Sequence, residues 1–192
     1  MSDWLSCGRR RLDGFTAEVM KKSSPTCFVR QLCPNCGLCC NGVLFADVEL
    51  QKADDARRLA ELGLSLEQKG RKQVFAQPCA CFDGTLCRIY PDRPAYCRAF
   101  ECGLLKNVQA GGLEVEEALK TIAEAKRRAD KVRRIIHQLG KSDQRLALIQ
   151  RYSQVMREAV DLSGSEDAFE LRGELMLAVE DLMQILQSDF LK

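Results

Sequence analysis

The stretch Cys33-Pro34-Asn35-Cys36-Gly37-Leu38-Cys39-Cys40 puts four thiols within eight residues, and Pro34 and Gly37 read as the turns of one short loop. The thiolate is the form that ligates metal, and several thiolates packed together without a cation repel one another strongly. The stretch therefore holds a metal or forms disulfides. A Cys-x2-Cys pair presents two sulfurs on one small turn, close enough to share a tetrahedral ion at ~2.3 Å. Cys33-x2-Cys36-x2-Cys39 reproduces the first three ligands of a bacterial ferredoxin run. It then departs, because the next thiol, Cys40, is adjacent and followed by Asn41 instead of standing three residues on before a proline. Adjacent cysteines point apart, so Cys39 and Cys40 leave two metals, or a bridging thiolate, open.

The rest of the chain favours metal. Its eleven cysteines are an odd number and are poorly spread for disulfides: four lie in 33–40, five in 79–102 and none beyond 102. Cys7 and Cys27 stand upstream and read as ordinary thiols. Residues 1–30 carry Arg9, Arg10, Arg11, Lys21 and Lys22 without a continuous apolar core, so they do not read as a secretory signal. No run approaches the ~20 apolar residues of a membrane span. A cytoplasmic setting is expected, where clustered cysteines point to metal or redox chemistry. Lys plus Arg total 29 against 27 Asp plus Glu, a net charge of +2, which gives no general drive toward nucleic acid or an acidic membrane.

Outward from the cysteine stretch, Leu12, Phe15, Val19 and Met20 are spaced for a short helix over 12–22, broken by Ser23-Ser24-Pro25. After it, 42–50 reads as extended and feeds a helix over 51–62, with Leu59 and Leu62 as core candidates and Gly63 as its stop. Ser65 to Gly70 reads as a further short turn. The second cysteine group follows, with Asp83-Gly84 as the tight turn of a small hairpin carrying Cys79 and Cys87, and Pro91 and Pro94 stiffening the path to Cys97. Such turn-rich segments are stable when something cross-links them.

Beyond Gly111-Gly112 cysteine vanishes and helical periodicity takes over. Val115, Ala118, Ile122, Ala125, Ala129, Val132, Ile136 and Leu139 form one stripe, ended by Gly140. Leu148, Tyr152, Val155, Ala159 and Leu162 form a second, and Ala168, Leu171, Leu175, Ala178, Leu182 and Ile185 a third. The predicted fold is mainly α: a small irregular cysteine-rich metal-binding region with short helices and a hairpin, packed against a three-helix antiparallel bundle. The expected divisions are an N-terminal extension over 1–30, a cysteine-cluster domain over 31–102 and a helical bundle over 113–191. The stripes serve as the bundle core or, alternatively, as a seam for a partner protein. His137, the only histidine, reads as a surface or boundary residue.

The candidate ligands are all sulfur: Cys33, Cys36, Cys39, Cys40, Cys79, Cys87 and Cys97, with Cys102 left open. They supply one four-coordinate site with spare thiols, or a two-metal cluster. Soft thiolate sets suit zinc or iron–sulfur clusters and argue against magnesium, calcium or a histidine–carboxylate iron site. Arg93 and Arg98 are candidates to offset the charge of a tetrathiolate and to donate to its sulfurs. No phosphate loop, no nucleophile with a nearby histidine and no paired carboxylates stand out, so catalytic residues are not assigned.

Cys33-x2-Cys36-x2-Cys39-Cys40, followed by Cys79-x7-Cys87-x-Ile89-Tyr90-x2-Arg93-Pro94-x2-Cys97-Arg98, resembles the CxxCxxCC family of zinc- or iron-chelating proteins. Members have also been labelled Fe–S-cluster oxidoreductases, and the family looks related to the flagellin lysine methylase. The likeness covers about residues 30–102. It implies metal binding through Cys33, Cys36, Cys39, Cys40, Cys79, Cys87 and Cys97. Cys81 replaces the family's usual aromatic or apolar residue and is an extra thiol, and Cys102 lies just past the motif. Three functions follow as expectations: a metal-binding protein, an Fe–S oxidoreductase or lysine methyltransferase-like enzyme, and a metal-handling or adaptor module whose bundle docks a partner.

Overall fold

A computed structural model describes residues 25–141, 143–158 and 166–192. The helix expected over 12–22 and the thiol of Cys7 lie outside the described residues, as do Ala159 and Leu162.

The chain enters through helix α1 (Pro25–Cys36). Pro25 opens it, a position where the missing N–H costs nothing because the first amides of a helix have no partner. Phe28, Val29 and Leu32 face the main core. This corrects the loop expected for the first thiols: Cys33 and Cys36 lie in the last turn of α1, with Pro34 inside it. Pro34 lacks the N–H that would continue the helical ladder, and α1 ends two residues after it. Gly37 (φ +69°) ends the helix, its N–H donating to the carbonyl of Cys33 at 3.2 Å. Residues 38–44 then fold into a compact turn, and the fully buried Leu38 anchors it to the core.

Strand β1 (Asp47–Glu49) leads to helix α2 (Ala56–Glu61), which Asp55 caps by accepting from the Arg58 N–H at 3.0 Å. Strands β2 (Leu66–Lys69) and β3 (Lys72–Ala76) follow, giving an antiparallel sheet in the order β1-β3-β2. The sheet corrects the turn read over 65–70. That segment is one arm of a two-residue hairpin, with Lys69 opposite Lys72 and Gly70 at φ +62° in the turn. β2 offers no apolar alternation, since three of its four residues are exposed, so its strand character comes from pairing with β3. Val48 and Leu66 both stand opposite Phe75, which is buried beneath the sheet.

A 3-10 turn (Tyr90–Asp92) and helices α3 (Ala95–Ala99) and α4 (Gly103–Gln109) complete the cysteine-rich half. The helical half comprises α5 (Val115–Gln138), α6 (Leu148–Arg157) and α7 (Glu166–Ile185), with a π-helical turn over Leu186–Phe190. Lys131 pairs with Glu174 at 3.2 Å, and Arg128 donates to the Asp181 carbonyl at 2.7 Å, so α5 and α7 run antiparallel. The predicted stripes are the core. Ala118, Ile122, Ala125, Ala129, Val132 and Ile136 are buried on α5, Leu148 and Val155 on α6, and Leu175, Ala178, Leu182 and Ile185 on α7. Ala168 is the exception, an exposed residue at the start of α7. His137 is exposed in the last turn of α5.

Two apolar cores result. The larger joins Leu32 and Leu38 to α4, α5, α6, α7 and the final turn, so α1 belongs to the same core as the bundle. The smaller joins Val48, Leu59, Leu64, Phe75, Cys81 and Ile89 around the sheet. Leu62, expected inside, is 36% exposed, while Leu59 is buried. At the join, Gly42 (φ +77°) lies so close to Ala147 and Pro78 that a Cβ there would sit 3.1–3.2 Å from their atoms. The Leu148 N–H donates to the Gly42 carbonyl at 2.8 Å, tying α6 to the cysteine turn.

Candidate metal centre

Cys33 and Cys36 stand one helical turn apart at the end of α1, and Cys39 and Cys40 follow on the turn held by N–H groups of Cys40 and Asn41 donating to the Gly37 carbonyl at 2.9 and 3.0 Å. The second group reaches this turn through the backbone, the Cys79 N–H donating to the Cys40 carbonyl at 2.9 Å. Phe82 and Cys87 pair across a tight turn that Asp83 closes by accepting from the N–H groups of Thr85 and Leu86 at 2.8 and 2.7 Å. This is the expected hairpin, reduced to one bridge. Cys97 is carried by α3, whose first N–H, that of Ala95, donates to Asp54 at 2.8 Å. Cys102 immediately precedes α4, which packs beside α1.

Among the described residues nine cysteines are free thiols: Cys33, Cys36, Cys39, Cys40, Cys79, Cys81, Cys87, Cys97 and Cys102. Cys27 is disulfide-bonded, which corrects its reading as an ordinary thiol and removes it from the ligand supply. Cys81 is fully buried in the smaller core and its S–H faces the Leu62 carbonyl at 3.7 Å, so it acts as an apolar packing residue.

Burial dominates the electrostatics. It pushes Cys33 up to about 11, with Cys102 adding and Arg93 opposing. It pushes Cys36 up to about 12, where the Leu38 N–H opposes and Cys102 and Cys33 add. Cys39 is driven well above the usual thiol value by burial and then by Cys36, Cys40, Cys102 and Cys33. Burial and then Cys79, Cys97 and Cys87 carry Cys40 to about 12. Cys97 reaches about 12 through burial, Cys79 and Cys87, again opposed by Arg93. Cys79 is pushed up to about 11 by burial. Cys102 is raised by burial, partly offset by the amides of Leu105 and Leu104. At neutral pH these sulfurs are protonated unless a cation replaces the protons.

Among the described residues no three His, Cys, Asp or Glu side chains already converge as the ligands of one ion do. The donor set nonetheless fits zinc or an iron–sulfur cluster, because it is all soft sulfur, half-buried except for the exposed Cys33, and drawn from segments clasped by the backbone. Arg93 lies close enough to act on both Cys33 and Cys97, and its guanidinium stacks over Tyr90 at 4.1 Å from the ring centroid. Arg98 is exposed on α3. Sequence reading missed Lys126: α1 packs against α5, so Lys126 reaches the Asn35 carbonyl at 3.0 Å and opposes the charge of a Cys36 thiolate. Its only sequence signal was the polar face of the α5 stripe.

The CxxCxxCC family, described as "Putative zinc- or iron-chelating domain", matches residues 32–127, half of the chain. The chain belongs to this family. Its match extends past the cysteines into α5, in keeping with the shared core of α1 and α5. No curated protein and no solved structure matched the chain. Among the described residues no helix is long and apolar enough to cross a membrane.

Proposed function

We propose that this protein binds zinc or an iron–sulfur cluster through the thiolates of Cys33, Cys36, Cys39, Cys40, Cys79, Cys87 and Cys97. One observation carries the reading: the free thiols of two segments far apart in sequence lie to either side of the bond from the Cys79 N–H to the Cys40 carbonyl. Apolar burial alone would not select cysteine at seven such positions, and burial leaves the sulfurs protonated until a cation displaces the protons. A closed tetrathiolate zinc would cross-link the turn-rich segments, while an iron–sulfur cluster would add electron transfer. Arg93 and Lys126 would offset the negative charge of the thiolates.

Metal analysis and absorption on anaerobically purified protein test this reading. A brown protein absorbing near about 400 nm, with acid-labile sulfide, identifies a cluster. A colourless protein with stoichiometric zinc identifies a structural ion. Protein that neither retains nor takes up metal overturns the reading.

A second reading, an adaptor whose C-terminal helices dock a partner protein, is favoured by the row of Phe169, Met176 and Leu177, which are 66%, 52% and 65% exposed on α7. Phe169→Ser with Leu177→Ser abolishes partner capture on that reading while leaving metal content intact. A chain that is monomeric and captures no partner counts against it.

A further inference from the structure

Between residues 119 and 134, α5 carries seven Lys or Arg against two Asp or Glu, a local charge of +5 in a chain whose net charge is +2. Both carboxylates of that stretch are taken: Glu124 pairs with Arg127 and Arg128 at 2.7 Å, and Asp130 with Arg133 at 2.8 Å. Lys131 pairs across the bundle with Glu174. Among the described residues Lys120, Lys126 and Arg134 meet no carboxylate at ion-pair distance, so cations are in surplus. Helical spacing puts Leu119, Ile122, Ala123, Lys126, Asp130 and Arg134 on one side of α5. There the surface sinks into a groove of about 600 Å³, which Arg127 and Asn35 of α1 also line. Its floor is apolar, with Ile122 buried and Leu119 half-buried. Its rim is cationic, with Arg127 and Arg134 exposed and Lys126 donating to the Asn35 carbonyl at 3.0 Å.

The outer face of α7 has the complementary make-up. Phe169, Met176 and Leu177 are exposed in a row, and at Gly173 between them a Cβ would meet nothing within 4 Å. Between residues 168 and 181 the helix carries Glu170, Glu174, Glu180 and Asp181 against one basic residue, Arg172. Glu170 and Glu180 lie on the same side of the helix as the row, both exposed, and neither has an ion-pair partner among the described residues. We propose that the α7 face of one copy of this chain docks in the α5 groove of a second copy, with Phe169, Met176 and Leu177 on the apolar floor and Glu170 and Glu180 against the cations of the rim. The proposal rests on the second reading above, that the α7 row is a docking surface, and names its occupant.

Length and charge both select this occupant. The segment from Phe169 to Glu180 spans about 17 Å of helix and the groove from Leu119 to Arg134 about 22 Å, so the row and its carboxylates fit along it. The first 24 residues of the chain carry five Lys or Arg against three Asp or Glu, and like charge disfavours them in the groove. A nucleic-acid backbone would meet the cations but set its charged phosphates over Leu119 and Ile122, whereas an amphipathic helix brings apolar groups to the floor and carboxylates to the rim. The two faces are unlike, so the contact joins different surfaces of the two copies. A contact steered by charge in this way weakens as salt screens it.

Sedimentation of the full chain over a concentration series tests the proposal. Wild type should exceed the 21.6 kDa of one chain at about 100 μM and should dissociate as salt rises from about 50 to 500 mM, a result that needs no variant to fold. Ala123→Glu with Arg134→Glu alters the groove, and Phe169→Ser with Leu177→Ser alters the row, all at exposed positions. Each variant should associate at least about tenfold more weakly than wild type. An equimolar mixture of the two variants should regain a complex, because the intact row of the first meets the intact groove of the second. Wild type that stays monomeric at about 100 μM, association unchanged by salt or by the groove variant, or a mixture that stays monomeric each overturns self-docking. The adaptor reading is decided separately: a different protein captured by wild type and by the groove variant, but not by the row variant, sustains that reading while overturning this proposal.

Discussion

The backbone N–H of Cys79 donates to the carbonyl of Cys40 across 2.9 Å, so two ligand candidates far apart in sequence are joined through their main chains. The bond fixes the approach of the second segment without depending on any side chain. On the proposed metal-binding reading, ligation and the fold of residues 77–97 are coupled, and perturbing either arm near this clasp should register in both.

Asp54 supports the arm that carries Cys97. Its carboxylate accepts from the Ala95 N–H and from the Gln51 N–H, each at 2.8 Å. Asp54→Ala should destabilise the protein by about 1 kcal/mol, the usual cost of losing a helix-capping acceptor. Chemical denaturation measures the loss, and competition with a chromophoric chelator should show weaker metal retention.

Gly42 combines φ +77° with close approach to Ala147 and Pro78. Gly42→Ala strains the backbone and forces the join apart, and a loss of about 1–3 kcal/mol is expected. A lowered thermal midpoint checks it. The equivalent change at Gly84, where a Cβ meets open space, carries only the backbone strain and should cost less.

Leu38 is fully buried between Cys36 and Cys39. Leu38→Ala should cost about 2–5 kcal/mol through lost burial and the cavity left behind. The ligand loop is seated by this side chain, so metal affinity should fall together with stability. Equal affinities for Leu38→Ala and wild type would show that the loop is seated by other contacts.

Removing the guanidinium with Arg93→Gln should weaken metal binding by roughly ten-fold, the lower end expected for a residue that supports the ligands from outside. Arg93→Lys restores charge but not the planar stack on Tyr90, so it should recover affinity only in part. Chelator competition distinguishes the three proteins.

Burial raises the thiol values from an ordinary 9.0 to about 11 for Cys33 and Cys79 and about 12 for Cys36, Cys40 and Cys97. Below pH 9 folded and unfolded chains both hold these protons, and the difference contributes nothing. Above it the unfolded chain releases protons that the folded apo-protein keeps, so apo stability should fall as pH rises from about 9 toward 12. Metal loading has the opposite sign, because each thiolate formed sheds a proton. Affinity should rise with pH through neutrality, with roughly four protons released per four-thiolate site. Denaturation at several pH values and proton release on metal addition measure the two effects.

The helical half was legible because its stripes are long and regular: α5 buries the residues that its period selects, and α7 follows from Leu175 onward. The thiols were legible as a set because their spacing is dense and specific. β2 was not, because a polar strand takes its conformation from its partner rather than from its own pattern. The helical placement of Cys33 was hidden by Pro34, normally a breaker, which here lies inside α1. Lys126 was invisible because its position beside Cys36 depends on packing between α1 and α5, which no local signal encodes.

The packing of α1 against α5 also bears on the order in which the molecule is made. A chain leaves the ribosome N-terminus first. Cys33 to Cys40 emerge before any thiol of the second segment exists, and α5, with Lys126, emerges later still. The nascent protein therefore passes through a stage in which Cys33, Cys36, Cys39 and Cys40 are solvent-facing and Lys126 has not yet been made. Enclosure of the centre is a late event in biosynthesis, completed only when the helix after Gly112 has been translated and has docked.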